Sequence, residues 1–240
     1  MHSFTWLGVL SGGRIDHHNI HIFSSALIVL FLTVVTLLIR GKLKKVEERL
    51  IPTAKTSLIN IFEASVEGIL SLMEGILGHD APKYFPLIGT LFIYIFLCNA
   101  LGLIPGFLPP TDNINTNFAC AMTVFVYYNI MGIKAHGLKG YLRHFMGPIL
   151  WLGPLVFVIE IIGHLVRPIS LSLRLFGNIT GDHLVLGIFS DLVPIGVPIL
   201  FLALGLFVSF IQAFVFSLLS MIYIGLATAH EPVEEGSEHH

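Results

Sequence analysis

A row of ionisable and polar side chains crosses a long apolar stretch near the C-terminal end of the sequence. Successive members are separated by steps of 4, 3, 7, 4 and 4 residues, which keeps them close to one face of an α-helix. Ionisable side chains aligned within an apolar helix are typical of ion pathways and proton relays. The row consists of Glu160, His164, Arg167, Arg174, Asn178 and Asp182, with Ser170 and His183 beside it.

Arg174 differs from the other charged members of this row because no acid lies one turn away. Asp182 is two turns away, and Asn178 at i+4 can hydrogen-bond to a guanidinium but cannot neutralise it. An arginine at mid-membrane costs about 2.5–3.5 kcal/mol on insertion scales. The other apolar spans that we predict contain no Asp or Glu, so we expect the counter-charge on a different protein. The alternative is a buried polar network that only fixes helix packing.

The last apolar run, residues 199–229, carries polar residues of its own. Its serines are typical of ordinary helix–helix contact in lipid. Gln212 is more costly to bury than a serine, and a glutamine opposite an arginine row can line a polar path. We therefore add Gln212 to the candidate site.

Apolar helices must hold these side chains in place. The 240-residue chain is 55% hydrophobic and 12% charged, about half the charged fraction of a typical soluble domain. This composition predicts a single all-α polytopic membrane domain, 1–240, with about five membrane helices and one amphipathic interfacial helix. We predict spans at 20–39, 84–108 and 118–133, the amphipathic helix at 53–78 with Glu63, Glu67 and Glu74 on one face, and a helical hairpin over 145–229.

The hairpin is too long to cross the membrane upright. If residues 145–187 form one helix, its length is roughly 64 Å at about 1.5 Å per residue, against a hydrocarbon core of about 30 Å. Either the helix is steeply tilted, or two segments break near Pro168.

Basic residues predict the orientation, because Lys and Arg are enriched in cytoplasmic loops. They follow the first span, over 40–55, and the third span, over 134–143. This places the N-terminal segment 1–19 and the loop at 108–117 outside. The acidic tail 230–240 is then in the cytoplasm.

Four segments resemble subunit a of the F-type ATP synthase membrane sector, and the resemblance covers essentially the whole chain. They are RPISLSLRLFGNITGDHL, LFVSFIQAFVFSLLSMIYI, FPLIGTLFIYIFLCNALGLIPG and PTDNINTNFACA. The resemblance implies a proton-translocating stator subunit, in which the last two long, steeply tilted helices form a hairpin facing a ring of c subunits. It also implies two aqueous half-channels, one open to each side, which couple proton flow to ring rotation and ATP synthesis.

Arg174 matches the essential arginine of this family, which meets the ion-binding carboxylate of each c subunit. A guanidinium remains protonated at physiological pH, favours the ionised carboxylate and blocks a short circuit between the half-channels. The resemblance places Asn178 and Gln212 near this arginine. The choice between H⁺ and Na⁺ is made largely by the binding site of the ring.

The resemblance also assigns residues to the two half-channels. His183 matches a position that carries a proton-relay group in the family, and an imidazole titrates near neutral pH. The companion position on the last helix is Gly205 here, so Asp182 is an alternative partner. Asn115 matches a residue near the outer entrance, and Glu160 matches a position on the cytoplasmic half-channel, with His164 and Ser170 as weaker candidates beside it.

The resemblance implies partners rather than catalysis. We expect the c-ring, the b subunits of the peripheral stalk, the rest of the F-type ATP synthase and the lipid bilayer as partners, and no nucleic acid, metal or cofactor. The sequence contains no GxxxxGK[ST] stretch, so we expect ATP chemistry on other subunits. We expect a bacterial cell inner membrane, with the N-terminus periplasmic and the C-terminus cytoplasmic. The alternative is an independent secondary ion transporter or channel, which would predict internal repeats or broken helices.

Overall fold

The computed structural model describes residues 20–43, 58–104, 106–144, 153–192 and 196–228, and within these ranges the regular secondary structure is entirely helical. The N-terminal segment 1–19, much of the basic stretch that follows the first span, the start of the predicted hairpin and the acidic tail lie outside the described residues. The helices are α1 (Ile20–Leu43), α2 (Leu58–Leu77), α3 (Ala81–Leu101), α4 (Ile114–His144), α5 (Gly153–Leu192) and α6 (Val197–Thr228).

Five helical stretches are long and apolar enough to cross a membrane, which confirms the predicted all-α class and the number of membrane helices. α2 and α3 contribute to one such stretch, Glu63–Leu101, with a 3₁₀ turn at Gly78–Asp80 between them. An interfacial position for α2 and a tilted hairpin remain predictions. The other four stretches are Ile20–Leu38, Ile114–Tyr141, Pro154–Phe189 and Pro198–Thr228.

α5 is a single helix of 40 residues that continues through Pro168. A proline removes one backbone hydrogen bond, but membrane helices tolerate this where neighbouring groups satisfy the freed carbonyl. Of the two sequence alternatives, the break near Pro168 does not occur. At about 1.5 Å per residue the helix is roughly 60 Å long, about twice the thickness of the hydrocarbon core.

α4 bends sharply near its C-terminal end. Gly137 has φ 70° and ψ 163°, a conformation that favours glycine because a side chain would be strained there. The bend returns the end of α4 onto its own middle, so that the ring of Tyr141 packs against Gly132. This contact between residues nine positions apart is central to the site described below.

Buried side chains from α2, α3, α4 and α6, with two from α5, form the main core. α2 contributes as its pattern predicts, because Ile69 and Met73 are buried whereas its glutamates are exposed. Gly132 allows α4 and α6 to approach closely, because a Cβ there would lie only 3.0 Å from the Ala227 carbonyl oxygen. The largest fully buried side chains include Tyr84, Ile88, Ile95, Val124, Tyr128, Leu175, Phe216 and Ile224.

The connection between α3 and α4 is held by buried side-chain hydrogen bonds. Thr111 Oγ1 donates to Asn99 Oδ1 at 2.8 Å, and Asn117 Nδ2 donates to the Thr111 carbonyl at 2.7 Å. α1 joins this region, since Ser25 Oγ lies 2.6 Å from the Tyr94 hydroxyl. The connection is therefore fixed against α3 and α4.

Candidate functional site

Arg174 lies near the middle of α5, and its side chain is exposed. Among the described residues no carboxylate lies within 4.0 Å of its guanidinium, and the ion pair recorded on this helix joins two other residues. A guanidinium keeps its charge at physiological pH, and an uncompensated charge on a membrane helix is costly. The position is therefore suited to an anionic partner that approaches from outside the described part of the chain.

Asn178 connects α5 to α6 one turn beyond Arg174. Its Nδ2 donates a hydrogen bond to Gln212 Oε1, with the two atoms 2.5 Å apart. Gln212 is only 4% exposed. Burying its amide without a hydrogen bond would cost free energy, and the bond to Asn178 avoids that cost. The bond joins the two helices beside Arg174 and places the Gln212 amide against Asn178 of the polar row.

Glu160 and Arg167 form an ion pair two helical turns apart, with a distance of 3.2 Å between Oε1 and Nη2. The guanidinium of Arg167 also lies over the ring of Tyr223 on α6, 5.2 Å from the ring centroid. The two α5 arginines therefore differ. Arg167 has an acid and an aromatic face within its own chain, whereas Arg174 has neither among the described residues.

His164 is the buried member of the row, with 8% exposure. Two of its partners lie on α4. Nε2 lies 2.9 Å from Asn129 Oδ1, and Nδ1 lies 3.4 Å from the Tyr128 hydroxyl. The Tyr141 hydroxyl donates to the same Asn129 oxygen at 3.0 Å.

A cavity of about 100 Å³ lies among these groups. It is polar enough and large enough to hold water. Imidazole, carboxylate, phenol and water can exchange protons along hydrogen bonds, so this end of α5 has the chemistry of a short proton path. The cavity is lined by Tyr128, Tyr141, Glu160, His164, Arg167, Leu226 and Ala227.

A second polar group lies near the opposite end of α5, where Asp182 and His183 are partly exposed. His183 approaches the end of α3, because a Cβ built on Gly102 would lie 3.0 Å from its Nε2. Thr180 Oγ1 donates to Asp112 Oδ1 at 3.4 Å, which joins α5 to the connection before α4. An imidazole and two carboxylates therefore lie at this end of the helix.

The remaining candidates from the sequence lie outside these two polar groups. Ser170 is exposed on α5, and Asn115 is exposed near the start of α4, where its backbone N–H donates to Asn113 Oδ1 at 2.9 Å. Gly205 is buried against the connection, and a Cβ there would lie 2.7 Å from Leu103 Cδ2. Gly205, the expected companion position of His183, thus packs closely against Leu103 and carries no ionisable side chain.

The candidate residues extend along α5 for a distance comparable to the membrane. Glu160 and Asp182 are 22 positions apart, or about 33 Å along the helix axis. The hydrocarbon core is about 30 Å thick. Arg174 lies between the two polar groups, so the helix carries one group near each end and a charged arginine between them.

Sequence reasoning did not find several residues of these groups. Asn129 and Tyr128 hydrogen-bond to His164, Tyr141 hydrogen-bonds to Asn129, and Asp112 accepts a hydrogen bond from Thr180. A signal existed for the first pair, because the run YYN interrupts an apolar span. Nothing in the sequence indicated Tyr141, since its contact depends on the bend at Gly137.

The sequence is similar to known proteins over nearly the whole chain. The family described as ATP synthase A chain matches residues 22–225. A Bdellovibrio bacteriovorus protein named ATP synthase subunit a is 44% identical over 229 residues, which is 95% of this chain and 99% of that protein. Proteins of the same name from Geobacter sulfurreducens and Trichlorobacter lovleyi are 52% identical over 85% of this chain and 49% identical over 89%, covering 86% and 93% of their own lengths.

Proposed function

Since this chain belongs to the ATP synthase A chain family, the proton-translocating subunit a of the membrane F0 sector, we propose that α5 and α6 face a ring of c subunits and that Arg174 meets the ion-binding carboxylate of that ring. The observation that carries the proposal is the exposed guanidinium of Arg174, which lacks a carboxylate among the described residues. A ring that presents one carboxylate per subunit supplies this missing charge each time a subunit passes.

The two polar groups on α5 are the inner ends of two half-channels. The group of Glu160, His164 and Arg167 leads to the cytoplasm, with Ser170 between it and Arg174. Asp182 and His183 lead to the outside, with Asn115 near the entrance. The support is their separation along α5, which matches the membrane core, and the cavity beside Glu160. Arg174 stands between the groups and prevents protons from passing directly from one to the other.

The surroundings of the chain follow from this role. Loops rich in Lys and Arg place the N-terminus on the periplasmic side of a bacterial inner membrane and the C-terminus in the cytoplasm. The b subunits of the peripheral stalk hold the chain still while the ring turns. Nucleotide chemistry takes place on other subunits, so this chain conducts protons without catalysing a reaction itself.

The contact with the ring is tested by cysteine cross-linking on the two sides of Arg174. Leu173 is 51% exposed whereas Leu175 is fully buried, so the two leucines point away from each other. In a complex whose buried Cys98 and Cys120 are replaced by alanine, we expect Leu173→Cys to form a disulfide with a cysteine beside the ring carboxylate. Disulfides require Cα atoms within about 7 Å, so Leu175→Cys should form none. Equal cross-linking of the two variants, or none from Leu173→Cys, would contradict the proposed interface.

The outer half-channel is tested at Gly102, which leaves room for His183. A Cβ at this position would lie 3.0 Å from His183 Nε2 and 2.8 Å from Pro109 Cγ. We expect Gly102→Ala to displace the imidazole and to lower ATP-driven proton pumping about tenfold, a modest part of what a positioned acid–base group contributes. The measurement is vesicle acidification per ATP hydrolysed. Gly68→Ala on α2 is the control, because a Cβ there meets nothing within 4 Å. Equal pumping by the two variants would remove His183 from the path.

A further inference from the structure

Asn129 on α4 has an amide whose orientation is fixed by its own helix. Its Nδ2 donates to the Phe125 carbonyl at 2.7 Å, so its Oδ1 must face the other way. There it accepts a hydrogen bond from the Tyr141 hydroxyl at 3.0 Å. The amide nitrogen and oxygen of asparagine are assigned from such bonds. Because a backbone carbonyl is an acceptor, the amide atom beside the Phe125 carbonyl must be the nitrogen. The atom that Asn129 presents to His164 is therefore an acceptor.

The tautomer of His164 follows from this acceptor. Nε2 lies 2.9 Å from Asn129 Oδ1, so Nε2 must carry a hydrogen. In the neutral imidazole the other nitrogen, Nδ1, is then the acceptor. Nδ1 lies 3.4 Å from the Tyr128 hydroxyl, at the edge of the cavity that Glu160 and Arg167 also line. Nε2 thus donates to Asn129 and Nδ1 accepts from the Tyr128 hydroxyl, and both tyrosine and histidine line the cavity.

We propose that Asn129 is a positioning residue of the cytoplasmic half-channel, which holds Nε2–H of His164 and leaves Nδ1 as the atom that takes up and returns the proton. The inference rests on the proposed half-channel. An excess proton carried by cavity water binds the Nδ1 lone pair as the Tyr128 O–H turns away from it, which gives an imidazolium and leaves neutral water. The same proton then returns from Nδ1 to water, and the Tyr128 O–H turns back. A transfer through the ring is blocked, because an amide oxygen does not accept the Nε2 proton. His164 therefore exchanges a proton with the half-channel at one nitrogen and does not pass it across the imidazole ring.

The charged and titratable groups around His164 come from three helices. Glu160 and Arg167 lie on its own helix and form an ion pair with each other. Tyr128 and Tyr141 face it from α4, and Tyr223 on α6 packs against the Tyr128 ring and beneath the Arg167 guanidinium. The Phe125 ring also packs against it, with its centroid 5.0 Å from that of the imidazole. Asn129 Oδ1 accepts the hydrogen of Nε2 at 2.9 Å, so changing this amide changes the proton affinity of His164 without removing the charge of Glu160 or Arg167.

The test compares two isosteric changes that act in opposite directions on the imidazolium. Asn129→Asp adds a negative charge beside Nε2–H, and Asn129→Leu removes the acceptor. In inverted membrane vesicles with the intact complex, ATP-driven acidification per ATP hydrolysed is measured against pH. Pumping should fall at alkaline pH once His164 no longer holds a proton. We expect this alkaline limb to move up by about one pH unit in Asn129→Asp and down in Asn129→Leu.

Controls separate positioning from packing. If both variants lower pumping by the same factor and leave the alkaline limb in place, Asn129 only packs and the inference is wrong. A shift in Asn129→Asp that persists when His164→Gln is added also overturns it, because the charge would then act on another group. Arg174→Ala in the same vesicles tests the proposed function separately. If Arg174→Ala pumps normally, the proposed function is wrong. If Arg174→Ala is inactive but the alkaline limb does not move in the Asn129 variants, only the role of Asn129 is wrong.

Discussion

Arg174→Ala is expected to abolish coupled proton pumping while the complex remains assembled. A guanidinium 4 Å from a ring carboxylate is worth about 4 kcal/mol at an effective dielectric constant of about 20, which corresponds to roughly a thousandfold in rate. The exposed position of the side chain means that its loss leaves no cavity in the core of this chain. We therefore expect no more than about 1% of the wild-type acidification per ATP hydrolysed.

The same variant separates the two roles of the arginine. With the soluble catalytic sector stripped from the vesicles, a passive proton leak in Arg174→Ala would show that the guanidinium also seals one half-channel from the other. Coupled pumping at the wild-type level would contradict the mechanism, and the polar row on α5 would then be a packing network. Assembly is checked by the amounts of this chain and of the ring subunit in the purified complex.

A lysine tests whether charge alone is sufficient at this position. Arg174→Lys should lose at least about tenfold of the pumping, because a desolvated ammonium releases its proton readily whereas a guanidinium does not. Arg167→Lys is the matched control on the same helix. Its partner Glu160 lies 3.2 Å away in the same chain, and the carboxylate is 45% exposed, so an ammonium there can be solvated as well as paired. Wild-type pumping by Arg174→Lys would mean that this position has no special requirement for arginine.

The helices were predictable from the sequence because hydrocarbon allows little else. A backbone in lipid must satisfy its own hydrogen bonds, so each long apolar run becomes a helix. The 3–4 residue spacing of the polar row also predicted its placement on one helix, and α5 contains every member from Glu160 to Asp182. The spacing did not predict that His164 would be buried whereas Arg174 is exposed, because the facing helices decide this.

Contacts between helices were the part that the sequence could not supply. Glu160 and Arg167 pair along their own helix, whereas the imidazole of His164 hydrogen-bonds to a side chain of α4. Periodicity places residues on a face of their own helix but carries no information on which helix lies opposite. Tyr141 is the clearest case, because its contact depends on a single glycine with positive φ.

The close approach of Tyr141 to Gly132 predicts that adding a side chain at Gly132 lowers the stability of the folded chain. A Cβ on Gly132 would lie 2.5 Å from Tyr141 Cε2 and 3.0 Å from the Ala227 carbonyl oxygen. The ring is buried and hydrogen-bonded, and the carbonyl belongs to the backbone of α6, so neither moves without cost. We expect Gly132→Ala to destabilise the folded chain by about 1–3 kcal/mol, the usual cost of overpacking. The fraction of detergent-purified complex that retains this chain after heating should fall accordingly.

The control is the same substitution where space is free. A Cβ on Gly75 of α2 meets nothing within 4 Å, and alanine is favoured over glycine in a helix by up to about 1 kcal/mol. Gly75→Ala should therefore leave heat resistance unchanged or raise it, opposite in sign to Gly132→Ala. Because displacement of Tyr141 also removes its bond to Asn129, residual Gly132→Ala complex should pump poorly even where it survives heating. Equal heat resistance of the two variants would show that α4 and α6 separate easily at Gly132, and the His164 group would then lack the rigid support that its geometry requires.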